Sequence, residues 1–338
     1  MFMAKQSTSK PWRIDVPHGL SLDALEHMEL YYFMLLNRRL EDRLSSLYRQ
    51  NKVIGGLYSS LGQEACSVGS AWALEDGDFL APMIRNLGSM LVRGVRPRDV
   101  MAQYCARAIG PTRGKDLNLH FGDVDHGLIA PISVLGALIP VMAGIALEMK
   151  MHKKKSVALT YIGDGGTSTG DYHEGLNFAS VRHLPLILIV ENNQYAYSTP
   201  TRMQCNIKRL ADRAADYGIT GETVEGNNVL AMVDVVRRAR ARCVEGNGPV
   251  LVEAVTFRRK GHAEHDDAGY VPQELRTQWE AKDPIDAYRR YLMEHTIATP
   301  EDLDNTEHQI VETLEHDAEE VLAAPFPDAS IAMEDVYG

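Results

Sequence analysis

Two short clusters near the middle of the chain carry residue types suited to chemistry. Gly163-Asp164-Gly165-Gly166 sets one carboxylate among glycines, and Glu191-Asn192-Asn193 follows further along. Glycines let backbone N–H groups approach phosphate oxygens closely. A G-x-G triplet alone is a tight turn, and as a dinucleotide fingerprint this one fits poorly. Its third glycine is misplaced, and a carboxylate stands where a pyrophosphate would approach. Carboxylate and phosphate repel unless a cation lies between them. Magnesium, which takes oxygens from one or two carboxylates and from phosphates, removes that conflict. Asp164, an Asn193 amide oxygen and a nearby backbone carbonyl are therefore the expected protein share of a metal–diphosphate site.

Such a site needs elements that bring the two clusters together. SVALTYI (156–162) reads as a buried strand running into GDGG, 171–182 reads as a helix, and PLILIV from Pro185 reads as a strand running into ENN. Both strands are apolar throughout, as in a parallel sheet covered on both faces. Ligands of such sheets gather at the C-terminal strand ends, so Asp164 and Asn193 share a crevice if the two strands are neighbours. Around this unit, 21–50 reads as an amphipathic helix with Met28, Tyr32, Leu36, Leu40 and Leu44 at every fourth position. A second helix is expected from near Gly62, a third from Pro140 to the basic run Lys153-Lys154-Lys155, and a fourth over 230–244 before a strand from Val250. The expectation is an α/β fold in one domain over 1–338, with an N-terminal helical extension (1–50) and a helical C-terminal tail (283–338).

Composition narrows the function classes. Among 338 residues, 45% are apolar and 24% charged, which excludes wholesale disorder. A net charge of −11 argues against a nucleic-acid binder, which needs a basic surface. Cys66, Cys105, Cys205 and Cys243 lie far apart, suggesting neither zinc nor disulfides and fitting a reducing cytoplasm. The opening MFMAKQSTSKPWRIDVPHG has no apolar core, so no secretory signal is expected. The uncharged run 128–147, LIAPISVLGALIPVMAGIAL, has the length of a membrane span, but Pro131 and Pro140 would break a single helix. It reads as a buried loop feeding a close-packed helix, with no role in a membrane.

GDG, a helix, a strand and a terminal NN together resemble the thiamine diphosphate motif, and the separation of Asp164 from Asn193 matches that motif's usual spacing. The similarity extends over roughly residues 25–325, through GGLYSSLGQEA, GKDLNLHF, GALIPVMAGIAL, ENNQYAYSTP, YGITGETVEGNN, GPVLVEAVTFRRKGH and KDPIDAYRRYL. These segments resemble the alpha subunit of the first, decarboxylating component of 2-oxo acid dehydrogenases: pyruvate, branched-chain or acetoin. The resemblance implies the thiamine diphosphate-binding fold. It implies Mg2+ held by Asp164, Asn193 and the Tyr195 carbonyl, and diphosphate contacts from Arg85, Gly165 and Gly166. Bidentate guanidinium–phosphate contact is the physical reason for an arginine there. Ser133 and Leu135 match positions that touch the aminopyrimidine, and His262 in RRKGHAEHDD matches the active-site loop histidine. Imidazole suits proton transfer near neutral pH and can stabilise a developing anion. His120 is assigned only a loop-ordering role. Arg258, Arg259 and Lys260 read as a solvated face, with phosphate or lipoyl-domain contact the second option.

The implied reaction is decarboxylation of a small 2-oxo acid and acyl transfer to a lipoyl group on a dihydrolipoamide acyltransferase. The implied assembly is an α2β2 heterotetramer whose beta subunit supplies the activating glutamate. The chain departs from the family pattern at several places. Ile84 replaces a tyrosine before the diphosphate arginine, Tyr58 stands where pyruvate-type sequences have histidine, Ala263 replaces a phosphorylatable serine, and YVP at 270–272 replaces YRT. STPT after ENNQYAY, the Asp266-Asp267 pair and Tyr58 lean slightly toward branched-chain substrates. Competing readings are a transketolase-class enzyme, which would need a second α/β unit on this chain, a nicotinamide dehydrogenase, and a non-catalytic subunit that keeps the fold.

Overall fold

The computed structural model describes residues 12–334. Residues 1–11 of the expected N-terminal extension and 335–338 of the tail lie outside the described residues. Strands β1 (Phe79–Ala81), β2 (Ala158–Gly163), β3 (Leu186–Asn192), β6 (Thr220–Glu225) and β7 (Val250–Val255) form one parallel sheet in the order β1-β2-β3-β7-β6. Between them in sequence, β4 (Tyr195–Ala196) and β5 (Thr199–Pro200) make a short antiparallel hairpin. The helices are α1 (Ala24–Arg49), α2 (Glu64–Trp72), α3 (Leu87–Val92), α4 (Pro97–Tyr104), α5 (Leu138–Met151) and α6 (Gly170–Val181). They continue with α7 (Val229–Val244), α8 (Gln273–Glu280), α9 (Pro284–Glu294) and α10 (Pro300–Ala323).

Side chains of the three central strands divide between two cores because successive residues point to opposite faces. Leu159, Tyr161, Ile187, Ile189, Val250 and Val252 join α1, α2 and α7 in one core. Ala158, Ile162, Leu186, Leu188, Val190 and Leu251 join α5 and α6 in the other. Two covered faces explain why these strands read as unbroken apolar runs. Two strands of this five-stranded sheet escaped the sequence reading, each for its own reason. The edge strand β6, TGETVE, is half-exposed and mostly polar, and β1 has only three residues.

Helix α1 starts at a capping box between Asp23 and Glu26. Its buried stripe runs through Leu30, Met34, Leu40, Leu44 and Leu47, while Tyr32 is exposed and Met28 half-buried. Leu36, Leu40 and Leu44 of the predicted stripe are buried; a strict four-residue spacing overshoots the 3.6-residue turn, so its first two members lie off the core face. The helix stops at Arg49, one residue before the expected limit at 50, and α2 starts at Glu64. The uncharged 128–147 stretch is divided. Leu128 bridges to Leu80 beside β1, the loop that follows is exposed at 132–135 where a buried one was expected, and α5 buries Leu138, Ile139, Met142, Ala143 and Ala146. Among the described residues no helix is long and apolar enough to cross a membrane.

Candidate active site

Strands β2 and β3 are neighbours in register, with Gly163 opposite Glu191, so Asp164 and Asn193 leave adjacent strand ends. The Asp164 carboxylate is 3% exposed. Its Oδ2 accepts hydrogen bonds from Thr201 Oγ1 at 2.9 Å and Gln204 Nε2 at 2.7 Å, both neutral. Burial pushes this carboxyl above its ordinary pKa, partly offset by those two donors and by the Gly165 N–H. Asn193 Nδ2 donates to Gln63 Oε1 at 3.1 Å, which orients its amide oxygen to within 3.4 Å of the Tyr195 N–H. The Gln63 amide nitrogen itself is buried without a partner among the described residues. Gly165 is needed for close approach, since a Cβ there would lie 2.4 Å from Ala196 Cβ in β4.

Two buried arginines lie near one another, and the N–H of the second, Arg258, donates to the Asn193 carbonyl at 3.4 Å. Arg85, between β1 and α3, donates from Nη1 to the Ser59 carbonyl at 3.0 Å. Its Nη2 donates to the His262 carbonyl and lies 3.2 Å from His262 Nδ1. Burial and the nearby Arg258 guanidinium lower its pKa to about 10. Arg258 is 4% exposed and donates to the carbonyls of Tyr195 (3.4 Å) and Tyr197 (2.7 Å). Two buried like charges are unfavourable unless an anion sits between them. A buried carboxylate with neutral partners likewise suits a cation. The donor set therefore fits a divalent cation with a diphosphate.

The His262 ring is flanked by Tyr58 and Tyr197, with centroids at 5.6 and 4.7 Å. Burial, then Arg85 and Arg258, lower its pKa to about 4, so the imidazole is neutral at physiological pH. Guanidinium only donates, so Nδ1 is the acceptor and the proton resides on Nε2. The loop carrying His262 is held from within. Asp266 Oδ2 accepts from the His262 N–H at 2.6 Å and from the Tyr270 hydroxyl at 2.8 Å, and Arg258 Nη2 donates to that hydroxyl. The expectation of a solvated face at 258–260 is corrected here. Arg259 pairs with Asp283 at the start of α9, and Lys260 Nζ donates to Ser45 Oγ on α1 and pairs with Glu264. These side chains anchor the loop because their partners come from α1 and α9, which the local sequence could not show.

Residues 32–330 match the family model described as dehydrogenase E1 component. The chain belongs to that family. It is 34% identical over 322 residues to 2-oxoisovalerate dehydrogenase subunit alpha of Bacillus subtilis (strain 168), covering 94% of this chain and 97% of that one. It is 33% identical to the alpha subunit of acetoin:2,6-dichlorophenolindophenol oxidoreductase from the same organism, covering 94% and 96%. To pyruvate dehydrogenase E1 component subunit alpha of Bacillus cereus it is 36% identical, covering 94% and 83%. The dehydrogenase E1 family is thiamine diphosphate-dependent, and the alpha names of these relatives imply a beta partner.

Within this E1 chain, the loop of Ser133 and Leu135 borders the start of α6. Gly136 adopts φ +87°, and a Cβ there would lie 2.5 Å from Thr169 Oγ1. Ser133 Oγ lies 3.1 Å from His120 Nε2, while Leu135 is 60% exposed. Neither is bonded to Asp164 or Arg85 among the described residues. His120 also faces Asp116 at 3.3 Å. Sequence reasoning missed Gln63, Thr201, Gln204 and Ser59. Thr201 and Gln204 follow the ENNQYAYSTP segment closely, and that nearness was the one available signal.

Proposed function

We propose that this chain is the alpha subunit of a 2-oxo acid dehydrogenase and binds thiamine diphosphate with Mg2+. The bridge from the Asn193 strand end to the Arg85–His262 pair carries this reading: the Arg258 N–H donates to the Asn193 carbonyl at 3.4 Å, its Nη2 donates to the Tyr197 carbonyl, and the Tyr197 ring lies 4.7 Å from that of His262. Asp164, the Asn193 amide oxygen and the Tyr195 carbonyl would hold the metal. Arg85 and the backbone at Gly165-Gly166 would hold the diphosphate, and Ser133 and Leu135 the aminopyrimidine. When bound, the cofactor supplies the ylid and the electron sink. The chain supplies position and charge. Neutral His262, with its proton on Nε2, acts as a hydrogen-bond donor to developing negative charge, held in place by Tyr58, Tyr197 and Arg85. The overall reaction in this reading releases CO2 from the 2-oxo acid and acylates one sulfur of a lipoyl disulfide on a dihydrolipoamide acyltransferase, the disulfide being reduced so that its other sulfur becomes a thiol. Four unpaired cysteines support a cytoplasmic setting, and we read 1–338 as one diphosphate-binding domain with helical ends.

A beta subunit completes the site in this reading. Val134, Leu135, Val141, Phe178 and Val181 on the 131–137 loop, α5 and α6 are exposed apolar residues, as an unpaired interface would be. An α2β2 tetramer covers them. Purified without beta subunit, the chain is expected to show no turnover of any 2-oxo acid, measured with an artificial oxidant. Turnover by a beta-free preparation would overturn the two-chain assignment.

Substrate choice needs direct assay, because relatives of three substrate types match at 33, 34 and 36% identity. The features that lean toward branched-chain substrates have scaffold partners: Thr201 bonds Asp164, Asp266 orders the loop, and Tyr58 faces Arg85. Assaying the reconstituted tetramer with pyruvate, 2-oxoisovalerate, 2-oxoglutarate and acetoin decides among them.

The loop also predicts a regulatory absence. Residues 257–276 contain neither serine nor threonine, and Ala263 is buried. Phosphate would add about −1.5 to −2 charges beside the diphosphate site. Treating the tetramer with ATP and a 2-oxo acid dehydrogenase kinase should leave activity unchanged, with no phosphate mapped within 257–276. Inactivation with phosphate in that run would refute the alignment of His262.

A further inference from the structure

Glu41, on the inward face of α1, is 4% exposed and has no role in the site as described above. Its carboxylate gathers donors from two consecutive residues of the turn between α1 and α2. Ser59 Oγ donates to Oε2 at 2.6 Å, Ser60 Oγ to Oε1 at 2.7 Å, and the Ser60 N–H reaches both oxygens at 2.8 and 2.9 Å. Asn37, one helical turn earlier, donates to Ser60 Oγ at 2.8 Å. No cationic side chain is hydrogen-bonded to Glu41 among the described residues. Burying such a carboxylate is costly, and stability alone would favour an apolar side chain at this point of α1.

The turn it holds touches Arg85 twice. The Ser59 carbonyl accepts from Nη1 at 3.0 Å, and the guanidinium carbon lies 5.7 Å from the Tyr58 ring centroid. Arg85 needs such support because it is buried beside the like charge of Arg258; burial pushes the Glu41 carboxyl up to about 7, and the Ser59 and Ser60 donors favour its ionised form, the largest of the charges that keep Arg85 protonated. We infer that Glu41 is a positioning residue: by fixing Ser59 and Ser60 it aims the Arg85 guanidinium at the cofactor diphosphate. The inference rests on the diphosphate role proposed for Arg85.

Calorimetric titration of the alpha–beta complex with thiamine diphosphate and Mg2+ tests it. Glu41→Ala should raise the Kd about tenfold, within the range for residues that orient direct ligands. Glu41→Gln keeps the volume and one acceptor, so it should show a smaller rise, and it carries the test if Glu41→Ala fails to assemble. In an Arg85→Ala background either Glu41 substitution should add nothing further. A residue that merely stabilises the fold would weaken binding equally in both backgrounds, and that result, or an unchanged Kd in both Glu41 variants, would overturn the inference. An unchanged Kd in Arg85→Ala alone is a different failure, because it removes the diphosphate role of Arg85 itself.

Discussion

Asp164→Ala is expected to lower the affinity of the alpha–beta complex for thiamine diphosphate and Mg2+ by at least about 100-fold. Residues that merely orient metal ligands cost about 10- to 100-fold when removed, and Asp164 is proposed as a direct, charged ligand. The side chain has little other work to do. Its partners Thr201 and Gln204 are neutral, and burial raises its pKa, so its ionised form is disfavoured in the folded chain. A carboxyl whose folded pKa is raised contributes its stabilisation at low pH and loses it as pH rises past the unfolded value. At neutral pH, Asp164→Asn should therefore melt no lower than wild type when cofactor is absent. What it should lose is the rise in Tm on adding thiamine diphosphate and Mg2+, because a ligand stabilises only as far as it binds the folded state. Calorimetry and thermal melts check both halves. Wild-type affinity in Asp164→Ala would sink the metal assignment.

His262→Ala should separate chemistry from binding. Loss of a positioned hydrogen-bond donor to developing negative charge costs roughly 10²- to 10³-fold in rate. Cofactor affinity should fall far less, since Arg85 keeps the Ser59 carbonyl and the residue 262 carbonyl as partners in the variant. The pH dependence follows from the pKa of about 4 for His262 in the chain. Neutral imidazole, the form with Nε2–H and an accepting Nδ1, is present above that value, and protonation below it destroys the contact with Arg85. In the complex without cofactor, no titration of this imidazole is therefore expected between pH 6 and 8, as NMR of its ring protons checks. Steady-state turnover of the reconstituted complex, with cofactor Kd measured alongside, tests the expected split between rate and affinity. An unchanged rate would return His262 to an ordinary loop position.

Much of the architecture was legible because it is written in short-range patterns. The apolar runs ending in GDGG and ENN marked β2 and β3, and a doubly covered parallel sheet leaves such runs no other place. Prolines at 131 and 140 told a loop feeding a helix from a membrane span. The limits of α1, α6 and α7 lay within a few residues of their periodic patterns. Strand β6 was passed over because an edge strand with one exposed side carries no comparable apolar signal.

By itself, the sequence determined which residue types were available at each strand end and that an α/β sheet would present them. Only the tertiary structure decided which distant groups meet. Arg85 and His262 are 177 positions apart, Asp283 lies 24 positions beyond Arg259, and Glu41 reaches Ser59 and Ser60 across the α1–α2 turn. None of these pairs leaves a periodic trace, because a hydrogen bond needs two atoms within about 3 Å and sets no rule for the chain between them. The same holds for charge. Whether Arg258 is a solvated cation or a buried one, and whether an imidazole titrates near 4 or near its ordinary value, depends on burial and neighbours that exist only once the sheet and its helices have packed.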